Sequence, residues 1–390
     1  MARPLIPFVQ NGYYASRNWI PLVKGNGFTT SGGGEQEEVW ETASGSIVTF
    51  DAVAAPLRQL SVAVEPVQSG TGDPSPTNVR PITGFDSVKV NRTGKNLLTA
   101  QPVYTAYDST ECLDLGRDFT FDSITISFTA TNASYTVNGN AFIRFTTNDG
   151  TNAYQIPTVF TNGSGTAFTV NTQANGRYKA TFHNITFKTV KFIYTSAAYS
   201  RFTSDSLSDF QLELGSTATA YEPYNGNEYT IQLGETVYGG TLDVVNGKMT
   251  VDRAMVDLGT LAWQYNTTWA PVPRFYTTTL RGEVIHYPGG QYPDGTLCSS
   301  YIVSKNTTVS TVGNDKTIGI GGDGYIYIQD ESYDGTTLND FKAALYGVQF
   351  VYMLATPFEL TLTPEQISTL QGTNNVWSDA GDVTVEYRAQ

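Results

Sequence analysis

Side chains able to do chemistry fall in a few stretches of this chain. Asp330-Glu-Ser-Tyr-Asp-Gly335 sets oxygens of Asp330, Ser332 and Asp334 at alternate positions, with a glycine at the turn. That is the first half of a calcium loop. The bidentate Glu that closes such a loop at its twelfth position is Phe341 here, with Asp340 one residue earlier. A solvated turn therefore competes with a structural Ca2+ site. Gly319-Ile-Gly-Gly-Asp-Gly324 has the form of a dinucleotide fingerprint. Its mechanism needs a following helix whose N-terminus receives the pyrophosphate. Tyr325-Ile-Tyr-Ile328 alternates like a strand instead, so the glycines read as a hairpin turn and no cofactor follows from them.

His183 and His286 are the only histidines, and neither has a Cys or His at ligand spacing. With no Gly-x-Ser-x-Gly elbow, little remains for Ser/His/Asp chemistry. The 36 acidic residues make carboxylate pairs unavoidable, yet nothing marks one pair as a glycosidase pair. Aromatics offer the remaining ligand chemistry. Sugar rings stack their CH faces on Tyr and Trp while neighbouring polar groups read the hydroxyls. Between residues 96 and 224 the candidate glycan-binding platforms are Tyr104, Tyr107, Tyr154, Tyr178, Tyr194 and Tyr199, and most of these suit a core or rim position better than a sugar platform.

The elements that would position these groups are strands. The chain has 24 Tyr, 20 Phe and 37 Gly but only 15% charged residues, a composition suited to half-buried pleated surfaces joined by turns. Its formal net charge of −13 argues against nucleic acid as the main ligand. Cys112 and Cys298 lie far apart and give neither metal spacing nor a disulfide framework, so they read as free, partly buried thiols. Met1-Ala-Arg-Pro-Leu-Ile-Pro7 lacks the apolar core of a signal peptide, and no apolar run is long enough to insert in a membrane.

Period-2 alternation marks strands at Leu60/Val62/Val64, Val88/Val90, Ile124/Ile126/Phe128, Ile143/Phe145 and Val383/Val385/Tyr387. Phe210, Leu212 and Leu214 alternate with Gln211 and Glu213, predicting one apolar face and one wet face. Ser69-Gly-Thr-Gly-Asp-Pro-Ser-Pro76 is a surface loop. Asn246-Gly247, between Thr241–Val245 and Lys248–Asp252, predicts a two-residue type I′ hairpin. Short helices are expected after Thr363, which stands at an N-cap before Pro364 with Gly372 to stop the helix, and over Leu338–Tyr346, ended by Gly347.

Several segments bear a family likeness. Glu65 to Ile82, Gly94-Lys-Asn-Leu-Leu98, Phe210 to Tyr224, Val237 to Arg253, Leu354-Ala-Thr-Pro357 and Asn374 to Asp382 resemble segments of bacteriophage minor structural proteins. These are tail, baseplate or fibre-like proteins carrying an inserted carbohydrate-binding-module-like jelly roll. The resemblance implies a mainly β, multidomain fold of antiparallel β-sandwiches, with one or two short helices near the C-terminus. Residues 96–225 would be the inserted sandwich. Residues 39–95 and 226–390 would form one discontinuous β-rich domain.

It also implies a non-enzymatic virion protein, made in the host bacterial cytoplasm and carried on the particle exterior. Such a protein would be a homo-oligomer, with a trimer favoured, and would attach to a host cell-surface glycan. Jelly rolls of this kind often hold a structural calcium. The rivals are a purely architectural capsid or tail protein without ligand, and a polysaccharide-cleaving enzyme of the particle.

Residues 1–38 read as an extended arm and linker. The first 34 residues contain no Asp or Glu and end in Gly32-Gly-Gly34. Arg3, Tyr13, Tyr14, Arg17, Trp19 and Lys24 would order on another virion protein by aromatic burial and charge. An ordinary first strand with a loose terminus is the alternative. Deleting residues 1–31 is expected to leave a folded protein that is missing from assembled particles, as measured by their protein composition. Normal incorporation would move attachment to the β-regions.

Overall fold

The computed structural model describes residues 40–52, 57–102, 109–131, 143–155, 160–164, 175–193, 207–266, 274–286, 295–304, 315–364 and 372–388. Among the described residues the fold is mainly β, with antiparallel sheets and one short α-helix, Leu338–Ala344, near the C-terminus. The arm residues, Tyr104, Tyr107, Tyr194, Tyr199 and the helix expected at 365–371 lie outside the described residues.

Two sheets stack as a sandwich. One has seven strands in the order Trp40–Gly45, Val383–Arg388, Gln59–Val64, Gly240–Asp243, Lys248–Asp257, Gln349–Thr361 and Leu297–Cys298. The other runs Asn227–Val237, Phe85–Thr93, Gly372–Ser378, Ile47–Ala52. Alternate residues of both meet in one core, among them Leu60, Val62 and Val64 against Val88, Val90 and Ile231. This is the geometry that period-2 patterning demands when only one face of each sheet is dry. A five-stranded sheet, Trp263–Asn266, Arg274–Thr277, Ile326–Gln329, Thr317–Ile320, Ile302–Val303, covers the far end of the long strands together with the helix. Its last pair is parallel. The glycines at 319–324 do turn a hairpin, with Gly324 at φ +79° and Ile320 opposite Ile326.

A further sheet is drawn wholly from residues 109–214 and has its own core. Ser109–Ala130 is a single 22-residue strand, where alternation alone suggested shorter pieces. Were it straight, Thr110 and Phe128 would lie about 60 Å apart at the usual rise per residue. Phe192 pairs beside Thr110 and Phe210 stacks on Phe128, yet the rings of Phe192 and Phe210 are 4.9 Å apart. The strand must therefore fold back on itself. Its bend falls between Phe119 and Asp114, where the partner strand Gly176–Ile193 shifts register and Gly116 takes φ +83°. The curled sheet thus makes both layers of a sandwich, filled by Phe128, Phe145, Phe182, Phe187, Phe192 and Phe210.

The ends of this segment are tied together. Gly94 N–H donates to the Asn225 carbonyl, and the strands on either side, Phe85–Thr93 and Asn227–Val237, pair with each other. Asn96 is fully buried there. Its Nδ2 donates to the carbonyls of Phe210 and Glu222, and its Oδ1 accepts from the amides of Leu98 and Leu212. The bend is docked as well. Arg117 donates to the carbonyls of Ser378 (3.1 Å) and Gly381 (2.8 Å) from above the Phe119 ring, and Trp377 of the sandwich enters the core of the curled sheet.

Two sequence expectations are corrected. Gln211 and Glu213 are buried, not wet. The chain returns over them after Gly215, and they bond Thr219, Ala220 and Glu222 instead of water. The hairpin at Asn246-Gly247 is not type I′, because Asp243 faces Lys248 across a four-residue loop and only Gly247, at φ +65°, is left-handed. Val244 is drawn into the core and donates to the Leu60 carbonyl, while Asp243 accepts from Asn246. Gly247 is still required, since a Cβ there would sit 2.7 Å from Pro364 as well as at unfavourable φ. Gly247→Val is expected to lower stability by about 1–3 kcal/mol, measured by chemical denaturation. An unchanged midpoint would contradict the loop assignment.

Candidate functional site

A concavity lies on the curled sheet, where the strand Gly176–Ile193 changes direction. It has a volume of about 500 Å3 and is lined by Thr147, Thr181, Phe182, His183, Asn184, Ile185 and Thr186. Asn184 adopts φ +51°, a conformation tolerated by Asn because its short side chain bonds locally. This kink interrupts the ladder between His183 and Ile185, so the His183 and Asn184 side chains are both exposed. Phe182 and Ile185 turn inward to the core.

Hydroxyl pairs stiffen the floor. Thr125 bonds Thr181 at 2.9 Å and Thr120 bonds Thr186 at 2.8 Å. The neighbouring turn is fixed by Asp149, which accepts from Thr147 Oγ1 and the Thr151 amide; these bonds hold its carboxyl below the usual carboxylate range. Hydroxyls, an amide and an imidazole around two apolar rims can bind a polyhydroxylated molecule. No Asp or Glu is among the described residues that line the concavity.

A second cleft, of about 330 Å3, sits at the neck between Arg92, Glu222, Asn225 and Asn374. It holds a single carboxylate, Glu222, which pairs with Lys95. Among the described residues lining the two concavities there is no pair of acids such as hydrolysis of a glycoside requires.

The residues singled out by sequence do not gather here. Tyr178 is fully buried and stacked at 5.9 Å on Phe128, so it is a core residue and not a sugar platform. Period-2 patterning places it on a face but cannot say that a second layer closes that face. Tyr154 lies on the outer strand Asn152–Gln155, opposite Phe145. His183 appeared only as a lone histidine without metal partners. The kink that exposes it comes from the left-handed backbone of Asn184, which no pattern in the sequence marks.

Asp330, Ser332 and Asp334 do not converge as calcium ligands. Asp330 is fully buried, paired with the Lys316 ammonium and accepting from Tyr301 Oη at 3.0 Å. Lys316 also donates to Ser332 Oγ at 2.7 Å. A cation would have to displace an ammonium already in place. Asp334 caps the turn before the helix instead, accepting from the amides of Thr336 and Thr337. Among the described residues no group of three or more His, Cys, Asp or Glu could hold a metal.

Comparison of the chain with protein-family models, with curated proteins and with solved structures finds no match.

The two thiols are shielded. Burial pushes both Cys112 and Cys298 up to about 12, so neither carries appreciable thiolate at neutral pH. In native protein at pH 8 neither is expected to react with a disulfide reagent on the timescale of a free cysteine, and both should react after denaturation. Rapid labelling of the native protein, followed spectrophotometrically, would contradict the packing around them.

Proposed function

We propose that this chain is a non-enzymatic structural protein of a bacteriophage particle, in which residues 96–225 are a glycan-binding unit mounted on a β-rich scaffold. The observation that carries this reading is the concavity at His183 and Asn184, an exposed polar hollow without carboxylates on a sheet with its own core. The resemblance of the flanking segments to phage minor structural proteins supplies the particle, and the acidic surface suits an external, densely packed component. The neck at Gly94 and Asn225 supports the view of residues 96–225 as an insertion, because both ends meet at one point of the scaffold.

On this reading the scaffold assembles with other virion proteins and with copies of itself, while the curled sheet faces the host surface. Hydroxyl, amide and imidazole groups contact sugar hydroxyls, and no bond of the glycan is cleaved. The full-length protein should be retained on at least one bacterial polysaccharide in a glycan array, releasing no soluble oligosaccharide. His183→Ala removes an exposed side chain and should weaken that retention at least tenfold, with melting unchanged. Retention unaffected by His183→Ala would remove the concavity as the site. Release of oligosaccharide would favour the cleaving enzyme, and no retention on any glycan would favour the purely architectural protein.

A further inference from the structure

The outer face of the five-stranded sheet carries an aromatic cluster that the reading above does not use. Phe275, Ile326 and Ile328 point into the core beneath, so strand alternation sends Tyr276 and Tyr327 to the opposite face, where they stand directly across from each other. Tyr325 precedes Tyr327 by two residues and joins them. The ring centroids of Tyr276 and Tyr325 are 5.9 Å apart at 11° between planes, and each is 6.2 Å from Tyr327.

Their polar tips are held. Tyr276 Oη donates to Gln264 Oε1 and Tyr327 Oη to Asp323 Oδ2, each at 2.7 Å. Burial and the nearby Asp323 raise the Tyr327 hydroxyl far above its ordinary range, so it remains a neutral donor. Tyr276 and Tyr325 are half-buried, and Arg281, itself exposed, stands 5.1 Å over the Tyr325 ring. One step along the strand on the same face, Gln329 is fully buried with neither its amide nitrogen nor its amide oxygen bonded.

We propose that this face is a second saccharide-binding surface, taking a neutral pyranose whose CH face lies on Tyr276 and Tyr325. The chemistry selects this class. Tyr276, its hydroxyl tethered to Gln264, and Tyr325, packed beside it, form an apolar platform with little rotamer entropy left to lose. The rim offers Gln264 and Arg281 as an amide and a cation for hydroxyls. An apolar protein segment would cover the Gln264 amide and the Arg281 guanidinium without bonding them. This surface lies outside residues 96–225, so it stands or falls apart from the concavity at His183.

Calorimetric titration of the full-length chain with cellohexaose, maltohexaose and chitohexaose tests this. At least one oligomer should bind, and Tyr276→Ala/Tyr325→Ala should weaken it at least tenfold. Tyr276→Phe, which keeps the ring, should stay within twofold, and so should His183→Ala. Thermal melting identifies a misfolded double variant, for which Tyr325→Ser alone is then read in its place with the same expectation. Binding lost in His183→Ala but kept in the tyrosine variants would overturn the proposal while sustaining the concavity. Absence of binding by all three oligomers, or a change in self-association as the only effect of the tyrosine variants, would overturn it as well.

Discussion

The buried side chain of Asn96 is the constraint on which the arrangement of this molecule rests. One amide group bonds four backbone groups, and those belong to the start of the 96–225 segment, to its closing strand Leu207–Leu214 and to the returning chain at Glu222. Only a side-chain amide offers two donors and two acceptor sites; Gln carries it one methylene further out, and Asp lacks the donors. Because the site is dry, each of those bonds is needed, since an orphaned backbone group there would cost more than the bond contributes. The strands Phe85–Thr93 and Asn227–Val237 can then pair as if joined by a short loop.

The second consequence is orientation. Arg117, at the bend of the long strand, bonds the carbonyls of Ser378 and Gly381, and Gly116 leaves no room for a Cβ against Asp379, which would lie 2.6 Å away. Trp377 buries its ring among residues of the curled sheet although its strand belongs to the sandwich. Neck and bend together give two separated contacts, so the curled sheet is held at a set angle. A surface carried on it is presented in one direction.

Much of the fold was legible in the sequence, and the limits have physical causes. Strands at Leu60–Val64, Val88–Val90 and Val383–Tyr387 were readable because one face of each is dry and the period is 2. The hairpin at Gly319–Gly324 was readable because its glycines precede an alternating run. Gln211 and Glu213 misled because polar residues buried by hydrogen bonding look the same in sequence as polar residues in water. The stretch from Asp330 could not be told apart as turn or calcium loop because Lys316, which neutralises Asp330, comes from the turn before a neighbouring strand, fourteen residues away. Tyr276 and Tyr325 meet only through strand register, which local pattern does not encode. The curl of Ser109–Ala130 was hidden for the same reason, since a bulge is a property of two strands.

The central claim is that residues 96–225 form a body with its own cooperative core, tied to the scaffold at the neck and the bend. Native-state hydrogen exchange on the full-length chain tests it most directly. Amides of Ser109–Ala130, Gly176–Ile193 and Leu207–Leu214 should share one opening free energy, distinct from that shared by Gln59–Val64, Lys248–Asp257 and Val383–Arg388. A single free energy common to all six strands, reached only by global unfolding, would contradict the account.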